Sequence, residues 1–573
     1  MKYNEVIYDD GCIMQEPEAE DCSSDYDSDS SFSSTSSSTY SSSNSKYRNS
    51  KKISKTDRSS GHQIGNIFYS CTIYNSVLFH YTSKHVVLQI SPESLLPFVN
   101  KQNILMSPLN FQTNNSAPTS TNIFNNLGRT YHLAYKMVRT ESRIVHAFCM
   151  AYGLSQVHPN SLDFNLMWHG GHVKPITLRS LQDFQRVNHF PRSYELTRKD
   201  RMYANITKMQ QSFGFKNFDF VAKSFILPLE YQEFMNYYQK EARRGSTTWI
   251  IKPVASSRGR GIYLANNINH IPLDENIIVG RYIDNPYLID GFKFDVRLYV
   301  SVTSYDPLII YLHEEGLTRF CTIKYDKRNN TRNLRMHLTN YSLNKKSIDY
   351  VRCDNPDVED YGNKWSMSAM LRYLRDFGID TADLCSKIED VVIKAILAVE
   401  LPIATATKMF VPNPRGNCSE LYGFDILVDE NLKPWLLEVN LSPSLATDSP
   451  LDLKIKSHVV ADWMNLTGIT MQNPVHTRLN NKNGTGSEQG RAKSSVINSS
   501  NNNSSNGGHR PMTSLPTRHN NTKNDRDLST EEARCLKWVR EQHSRRGGFL
   551  RIFPRPDSWE KYGKFLQYRT TYN

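Results

Sequence analysis

Asp425, Glu438 and Asn440 fall within FDILVDENLKPWLLEVN, Phe424 to Asn440, which reads as two strands joined by a turn at Asp429–Asn431. Positions 438 and 440 differ by two, so on a strand both side chains project to one face. Asp425 can stand opposite them on the paired strand. Two carboxylates and an amide oxygen make a hard, all-oxygen site suited to Mg²⁺ that keeps waters or phosphate oxygens as its other ligands. Carboxylates left unpaired inside otherwise apolar strands are costly. A structural ion pair with an arginine is the other arrangement that would satisfy them.

A second group is WIIKPVASSRGRGIYL, Trp249 to Leu264. A strand ends in Lys252, a loop of small residues follows, and a further strand begins at Ile262. Lys252 can reach a phosphate from the strand end, and Arg258 or Arg260 can neutralise another. Gly259 and Gly261 let backbone N–H groups approach phosphate oxygens closely. Strand–loop–strand separates this pattern from the glycine-rich phosphate motifs that open a helix. A hairpin whose cations face solvent has the same pattern.

The third group is KFDVRLYV, Lys293 to Val300, in which Lys293, Asp295 and Arg297 alternate with Phe294, Val296 and Leu298. These three charges are the candidate catalytic residues. They describe either a solvated sheet edge or the charged floor of a cleft. Arg297, and Arg319 in GLTRF, can each hold a carboxylate through a bidentate fork. MHLTNYSLNKK, Met336 to Lys346, adds a polar cluster with His337, Thr339, Asn340, Asn344 and Lys345. No Ser-His-Asp or paired-Cys arrangement competes with these groups. Carboxyl activation by ATP needs these parts: cations and Mg²⁺ on the phosphates, with the reacting carboxylate held beside them.

The elements that must position these residues are mostly strands. WIIKPV, IIVGRYI, FDVRLYVSVTS, LIIYLHE, YGFDILVD and PWLLEVN have strand character. SAMLRYLRDF and CSKIEDVVIKAILAVEL have helical spacing. Together they make an α+β or α/β enzyme core. Residues 1–65 begin acidic and run into SSFSSTSSSTYSSSNS, which cannot bury enough apolar surface to order itself. Residues 66–130 are a poorly defined approach containing HVVLQI and a polar 106–126 loop, 131–470 are the core, and 471–529 are an Asn/Ser/Gly-rich linker. A basic segment, 530–573, opens on a short helix with Thr530 as N-cap, Ala533, Leu536 and Val539 as apolar face and Gly547–Gly548 as its end.

Net charge is +12, yet residues 1–30 hold ten acidic side chains against one lysine, which leaves +21 on the rest. Such a surface attracts polyanions of any kind. The nine cysteines are scattered without a CxxC pair, so neither a zinc ribbon nor a disulfide framework is expected. No apolar run reaches the ~18 residues of a membrane span, and no signal pattern opens the chain. A cytosolic protein is expected.

Lys252 with the ASSRGRG loop, Lys293–Arg297, HLTNYSLNKK, Asp425 and LEVNLSPSL resemble the tubulin tyrosine ligase-like family. NHFPRSYELTRKDR, Asn188 to Arg201, matches as well. YGNKWSMSAMLRYL and SPLDLKIK are similar to its member-five type of polyglutamylase. The resemblance runs from about Tyr131 to Ile469 and resumes at TEEARCLKWVREQHSRRGGFLRIFP. It implies an ATP-grasp-type ligase core with N-terminal, central and C-terminal subdomains, flanked by disordered segments. It places ATP phosphate on Lys252 and Mg²⁺ on Asp425, Glu438 and Asn440. It gives the incoming amino acid's carboxylate to Arg297 and Arg319, with Thr339 and Asn340 close by.

The implied reaction joins free glutamate to a glutamate side chain in the acidic C-terminal tail of tubulin, alpha-tubulin preferred, through an acyl-phosphate. The implied setting is a monomer on microtubules in cytoplasm and cytoskeleton, including cilium, basal body or centrosome, without nucleic acid or membrane insertion. A family ligase adding glycine or tyrosine would use the same arginines. A basic microtubule-binding protein would explain the charge and leave the carboxylates of the paired strands unexplained.

Overall fold

The computed structural model describes residues 79–81, 86–100, 104–106, 127–243, 245, 247–254, 259–326, 331–477 and 528–568. The Ser-rich extension, most of the 106–126 loop, Arg258 and all but the ends of the 471–529 linker lie outside the described residues.

Among the described residues the strands form four sheets. β1 (Phe79–Tyr81) and β2 (Val86–Leu88) make an antiparallel pair. β3 (Ala134–Val138), β4 (Ser155–Gln156), β5 (Leu166–His169) and β6 (Arg186–Val187) form a parallel sheet in the order β4-β3-β5-β6. β7 (Ser224–Leu227), β8 (Trp249–Pro253), β9 (Tyr263–Ala265) and β10 (Ile277–Arg281) form an antiparallel sheet in the order β7-β10-β8-β9. The remaining strands make an eight-stranded antiparallel sheet: β11 (Leu288–Ile289), β12 (Phe292–Tyr305), β13 (Leu308–His313), β14 (Leu317–Phe320), β15 (Lys364–Ser366), β16 (Glu420–Val428), β17 (Pro434–Asn440) and β18 (Phe549–Phe553). Helices pack on these sheets, and the fold class is α+β.

β12 is the axis of the large sheet. β16 pairs along one side of it, while β14 and then β13 share the other. The alternation read in KFDVRLYV is explained by that place. Phe294, Val296 and Leu298 are at most 1% exposed and join a core with helix Thr381–Leu397. On the opposite face Tyr299 enters a second core with helix Pro450–Thr467. Lys293, Asp295 and Arg297 share the face of Tyr299 but are themselves buried, so the solvated-edge reading fails and the charged floor stands.

The long helical stretch beginning at Cys385 is two helices, Thr381–Leu397 and Glu400–Phe410. Asp380 caps the first by accepting hydrogen bonds from the backbone N–H groups of Ala382 and Asp383.

The C-terminal segment differs from expectation. Its helix is Thr530–Ser544, capped by Ser529 in a reciprocal capping box with Glu532. Its inner face carries Cys535, Val539 and Gln542, while Leu536 is 43% exposed. β18 then pairs with β13, so the large sheet draws on residues far beyond 470. No helix among the described residues is long and apolar enough to cross a membrane.

Candidate active site

A cleft open to solvent lies between the β7–β10 sheet and the large sheet. Strand period assigns its upper wall. Trp249 and Ile251 of β8 point into a small core under helix Tyr231–Ala242, so Ile250 and Lys252 face the cleft. The glycines after Lys252 have backbone reasons to be glycine. Gly259 (φ 75°) and Gly261 (φ 69°) occupy the left-handed region. A Cβ on Gly259 would meet Asn340 Oδ1 at 3.1 Å, and one on Gly261 would meet Pro253 Cγ at 2.8 Å.

The floor is a four-charge cluster. Arg297 donates from Nε to Asp425 Oδ1 at 2.6 Å and from a terminal nitrogen to Oδ2 at 3.1 Å. Arg319 donates to both Asp295 oxygens, at 2.8 Å from Nε, and lies 2.9 Å from Asp425 Oδ2. Cross-strand register produces these contacts, since Asp295 stands opposite Arg319 and Arg297 opposite Asp425. Burial opposes ionisation of Asp425, but Arg297 and Arg319 overcome it and hold the carboxyl far below the usual carboxylate range. Burial raises Asp295, with Asp425 adding to the effect against the pull of Arg319. The arginine pairing weighed for Asp425 is therefore present, and it shares the carboxylate with the cleft.

Asp425 also stands opposite Glu438 in the β16–β17 register. The Asn440 amide lies 3.5 Å from Asp425 Oδ2 and 3.4 Å from Glu438 Oε1. The same amide N–H group donates to Gly423 O at 3.2 Å. Lys199 forms an ion pair with Glu438 at 3.1 Å. Among the described residues no group of three or more His, Cys, Asp or Glu side chains is arranged to hold a metal. Asp425 and Glu438 are hard oxygen donors of the kind Mg²⁺ takes alongside phosphate and water, and in this structure Arg297 and Arg319 engage Asp425 while Lys199 engages Glu438.

Behind the cleft, Tyr282 connects two of its residues. Lys293 Nζ donates to Tyr282 Oη at 2.9 Å, and the phenol lies 2.9 Å from His337 Nδ1. Burial is the main reason the Lys293 ammonium falls to about 8, with Lys252 lowering it further against Cys321 and Asp295. Asn344 ties the following loop to the sheet: its Oδ1 accepts from Thr322 N and Oγ1 at 3.0 Å, and its Nδ2 donates to Leu338 O at 2.8 Å. That anchorage places Thr339 and Asn340 on the cleft wall.

Residues 177–478 match the tubulin-tyrosine ligase family. The chain belongs to that family. It is 54% identical over 462 residues to tubulin polyglutamylase TTLL5 of Mus musculus, covering 79% of this chain and 34% of that protein. It is 35% identical over 464 residues to tubulin polyglutamylase ttll-5 of Caenorhabditis elegans, covering 77% and 63%. Against tubulin monoglutamylase TTLL4 of Homo sapiens it is 38% identical over 415 residues, covering 70% and 34%. The chain spans about a third of the length of the first of these relatives.

In this member of the tubulin-tyrosine ligase family, the cleft brings together Lys252, Lys293, Asp295, Thr339, Asn340, Asp425 and Glu438. Arg297 and Arg319 sit beneath the two aspartates instead of lining the opening. Arg260 is exposed in the glycine loop, and Arg258 lies outside the described residues.

Reasoning from residue types passed over Tyr282 and Tyr203, because a tyrosine in a strand or helix carries no sign of facing a cleft. It also gave Lys199 no role, although NHFPRSYELTRKDR contains it. Buried Glu420 anchors that motif, taking His189 Nδ1 at 2.5 Å, Phe190 N at 2.9 Å and Ser193 Oγ at 2.6 Å. Helix Lys199–Phe213 follows, with Lys199 in its first turn.

Proposed function

We propose that this chain is an ATP-dependent ligase that joins free L-glutamate to glutamate side chains in the acidic C-terminal tail of tubulin, with preference for alpha-tubulin. One observation carries the reading: Lys252 from one sheet and Asp295, Asp425 and Glu438 from the other converge on a single cleft. The relatives named above, two tubulin polyglutamylases and a tubulin monoglutamylase, support it. The core is an ATP-grasp-type ligase with N-terminal, central and C-terminal subdomains within residues 131–470, acting as a monomer on cytoplasmic and ciliary microtubules.

Asp425, Glu438 and Asn440 would hold Mg²⁺, which would supply charge neutralisation for the transferring phosphoryl group of ATP. The acceptor γ-carboxylate would take the γ-phosphoryl group of ATP with ADP leaving, and the amine of free glutamate would attack the acyl carbon, giving up a proton as phosphate leaves. Lys252 and Lys293 orient the transferring phosphate, Lys293 as an ammonium at neutral pH. Gly259 and Gly261 would let backbone N–H groups approach the phosphates, and Arg258 or Arg260 would neutralise their charge. Arg297 and Arg319 hold the amino acid's carboxylate, and Thr339 and Asn340 border it.

The test is incorporation of labelled glutamate into purified tubulin with ATP and Mg²⁺, followed by mass spectrometry of both tails. Dependence on both additives, with branched glutamate on the alpha tail, is expected. Binding to microtubules without incorporation would reject the ligase reading.

A further inference from the structure

Asp383, Lys387, Asp390 and Lys394 recur along helix Thr381–Leu397 at steps of three and four residues, so they share one helical face. Leu384, Ile388, Val392 and Ile396 turn away from that face and enter the core. The charged face is one wall of a second concavity, which shares no lining residue with the cleft. Its other walls are residues 216–220, Lys433 and Pro434 at the start of β17, and Lys561 of helix Pro556–Tyr562.

Five lysines line this concavity against three aspartates. The surplus shows at Asp390. Lys394 Nζ lies 2.7 Å from its Oδ2, Lys561 Nζ lies 2.9 Å from its Oδ1, and the Tyr562 hydroxyl donates to Oδ1 at 2.8 Å. Burial opposes ionisation of Asp390, but the two ammoniums overcome it and hold the carboxyl below its ordinary range. One carboxylate thus serves two cations. Lys433 pairs with Asp219 at 2.8 Å. Lys387 pairs with Asp383 at 2.7 Å, but both side chains are about half exposed, so water and salt screen that pair. Lys216 is exposed and has no carboxylate partner among the described residues.

We infer that this concavity binds a compact, multiply phosphorylated anion of the inositol polyphosphate class. Ammonium groups gathered in one concavity repel one another, and an anion placed among them turns that repulsion into attraction. The cation type points to phosphate. The planar carboxylates of the cleft floor are gripped by the flat forks of Arg297 and Arg319. Here every lining cation is a lysine, a compact charge whose three rotatable donors suit the tetrahedral oxygens of phosphate. The Ser386 hydroxyl lines the same wall as a further donor. Concave walls suit a compact anion better than an extended acidic chain. An occupant would tie together segments far apart in sequence, including the start of the strand that carries Glu438, and would stabilise the fold by mass action.

The experiment titrates the full chain with myo-inositol hexakisphosphate, without Mg²⁺ or ATP, by calorimetry and by thermal melts. The wild type should bind, melt at least about 2 °C higher at saturation, and lose affinity as salt rises. Lys216→Glu and Lys561→Glu should each weaken binding at least about tenfold. Lys252→Ala in the cleft and Lys537→Glu on the C-terminal helix should bind as the wild type does. Lys216 has no ion pair to lose, so its variant reads the site even if Lys561→Glu disturbs the fold. Vesicles of phosphatidylcholine with phosphatidylinositol bisphosphate separate the two sources of such a group. Co-sedimentation that Lys216→Glu abolishes assigns a lipid headgroup, and its absence beside binding of the hexakisphosphate assigns a free anion. Failure of both forms to bind would overturn the inference. So would binding that Lys252→Ala abolishes and Lys216→Glu spares, or equal weakening by Lys537→Glu.

Discussion

Gly423 vacates the space that the Arg297 side chain fills: a Cβ at 423 would lie 3.3 Å from both Cδ and Nε of Arg297. The same Cβ would approach Pro443 Cβ to 2.7 Å. Pro443 is rigid, so the crowding falls on the arginine. Gly423→Ala should lower stability by about 1–3 kcal/mol and raise the KM for glutamate more than that for ATP. Thermal melts and paired kinetics decide it; unaltered KM values would place Arg297 outside amino-acid binding.

Tyr282→Phe removes the hydroxyl shared by Lys293 and His337. Turnover that requires the Lys293 ammonium should decline as pH rises through about 8 in the wild type. The variant should shift that limb of the pH–rate profile and lower kcat with little change in the KM for tubulin. Linkage adds a second signature. Between about 8 and 10.5 the unfolded chain binds a proton at Lys293 that the folded chain does not, so this group's contribution to stability rises with pH. A pH–rate profile identical to wild type would leave Tyr282 a packing residue.

Glu438→Gln keeps the volume of the side chain but removes the charge proposed to ligate Mg²⁺ and the partner of Lys199. The fold should survive, since Asp425 retains both arginines. Incorporation should fall by at least about 100-fold, and the Mg²⁺ concentration for half-maximal rate should rise. Near-normal activity at ordinary Mg²⁺ would remove Glu438 from the metal site.

A basic segment joined by a long linker could act as a flexible tether to an acidic surface, but the C-terminal segment is packed into the fold. Phe549, Ile552, Phe553, Tyr562 and Phe565 are at most 4% exposed in the cores, and Glu400 accepts hydrogen bonds from the backbone of Gln567 and Tyr568. Five such side chains at about 1.5–3 kcal/mol each rival the whole stability of a domain. Truncation after residue 529 should therefore abolish soluble folded protein, with equal loss on microtubules and on an isolated tail peptide. Full activity on the peptide alone would restore the tether.

Local pattern was enough to find the strands around β8, β10, β12, β13, β16 and β17, because alternation is written residue by residue. It was also enough to group Asp425 with Glu438 and Asn440, since a short turn leaves one pairing for the two strands. Residue types alone pointed to carboxyl activation as the chemistry to propose. What stayed hidden depends on partners far apart in the chain. Asp295 and Arg297 look alike in KFDVRLYV, yet register sends one to Arg319 and the other to Asp425. Tyr282 reaches His337 across 55 residues, and β18 reaches β13 past a long low-complexity stretch. Periodicity states which face a side chain takes, and only the packed sheet decides what occupies the other side of that face.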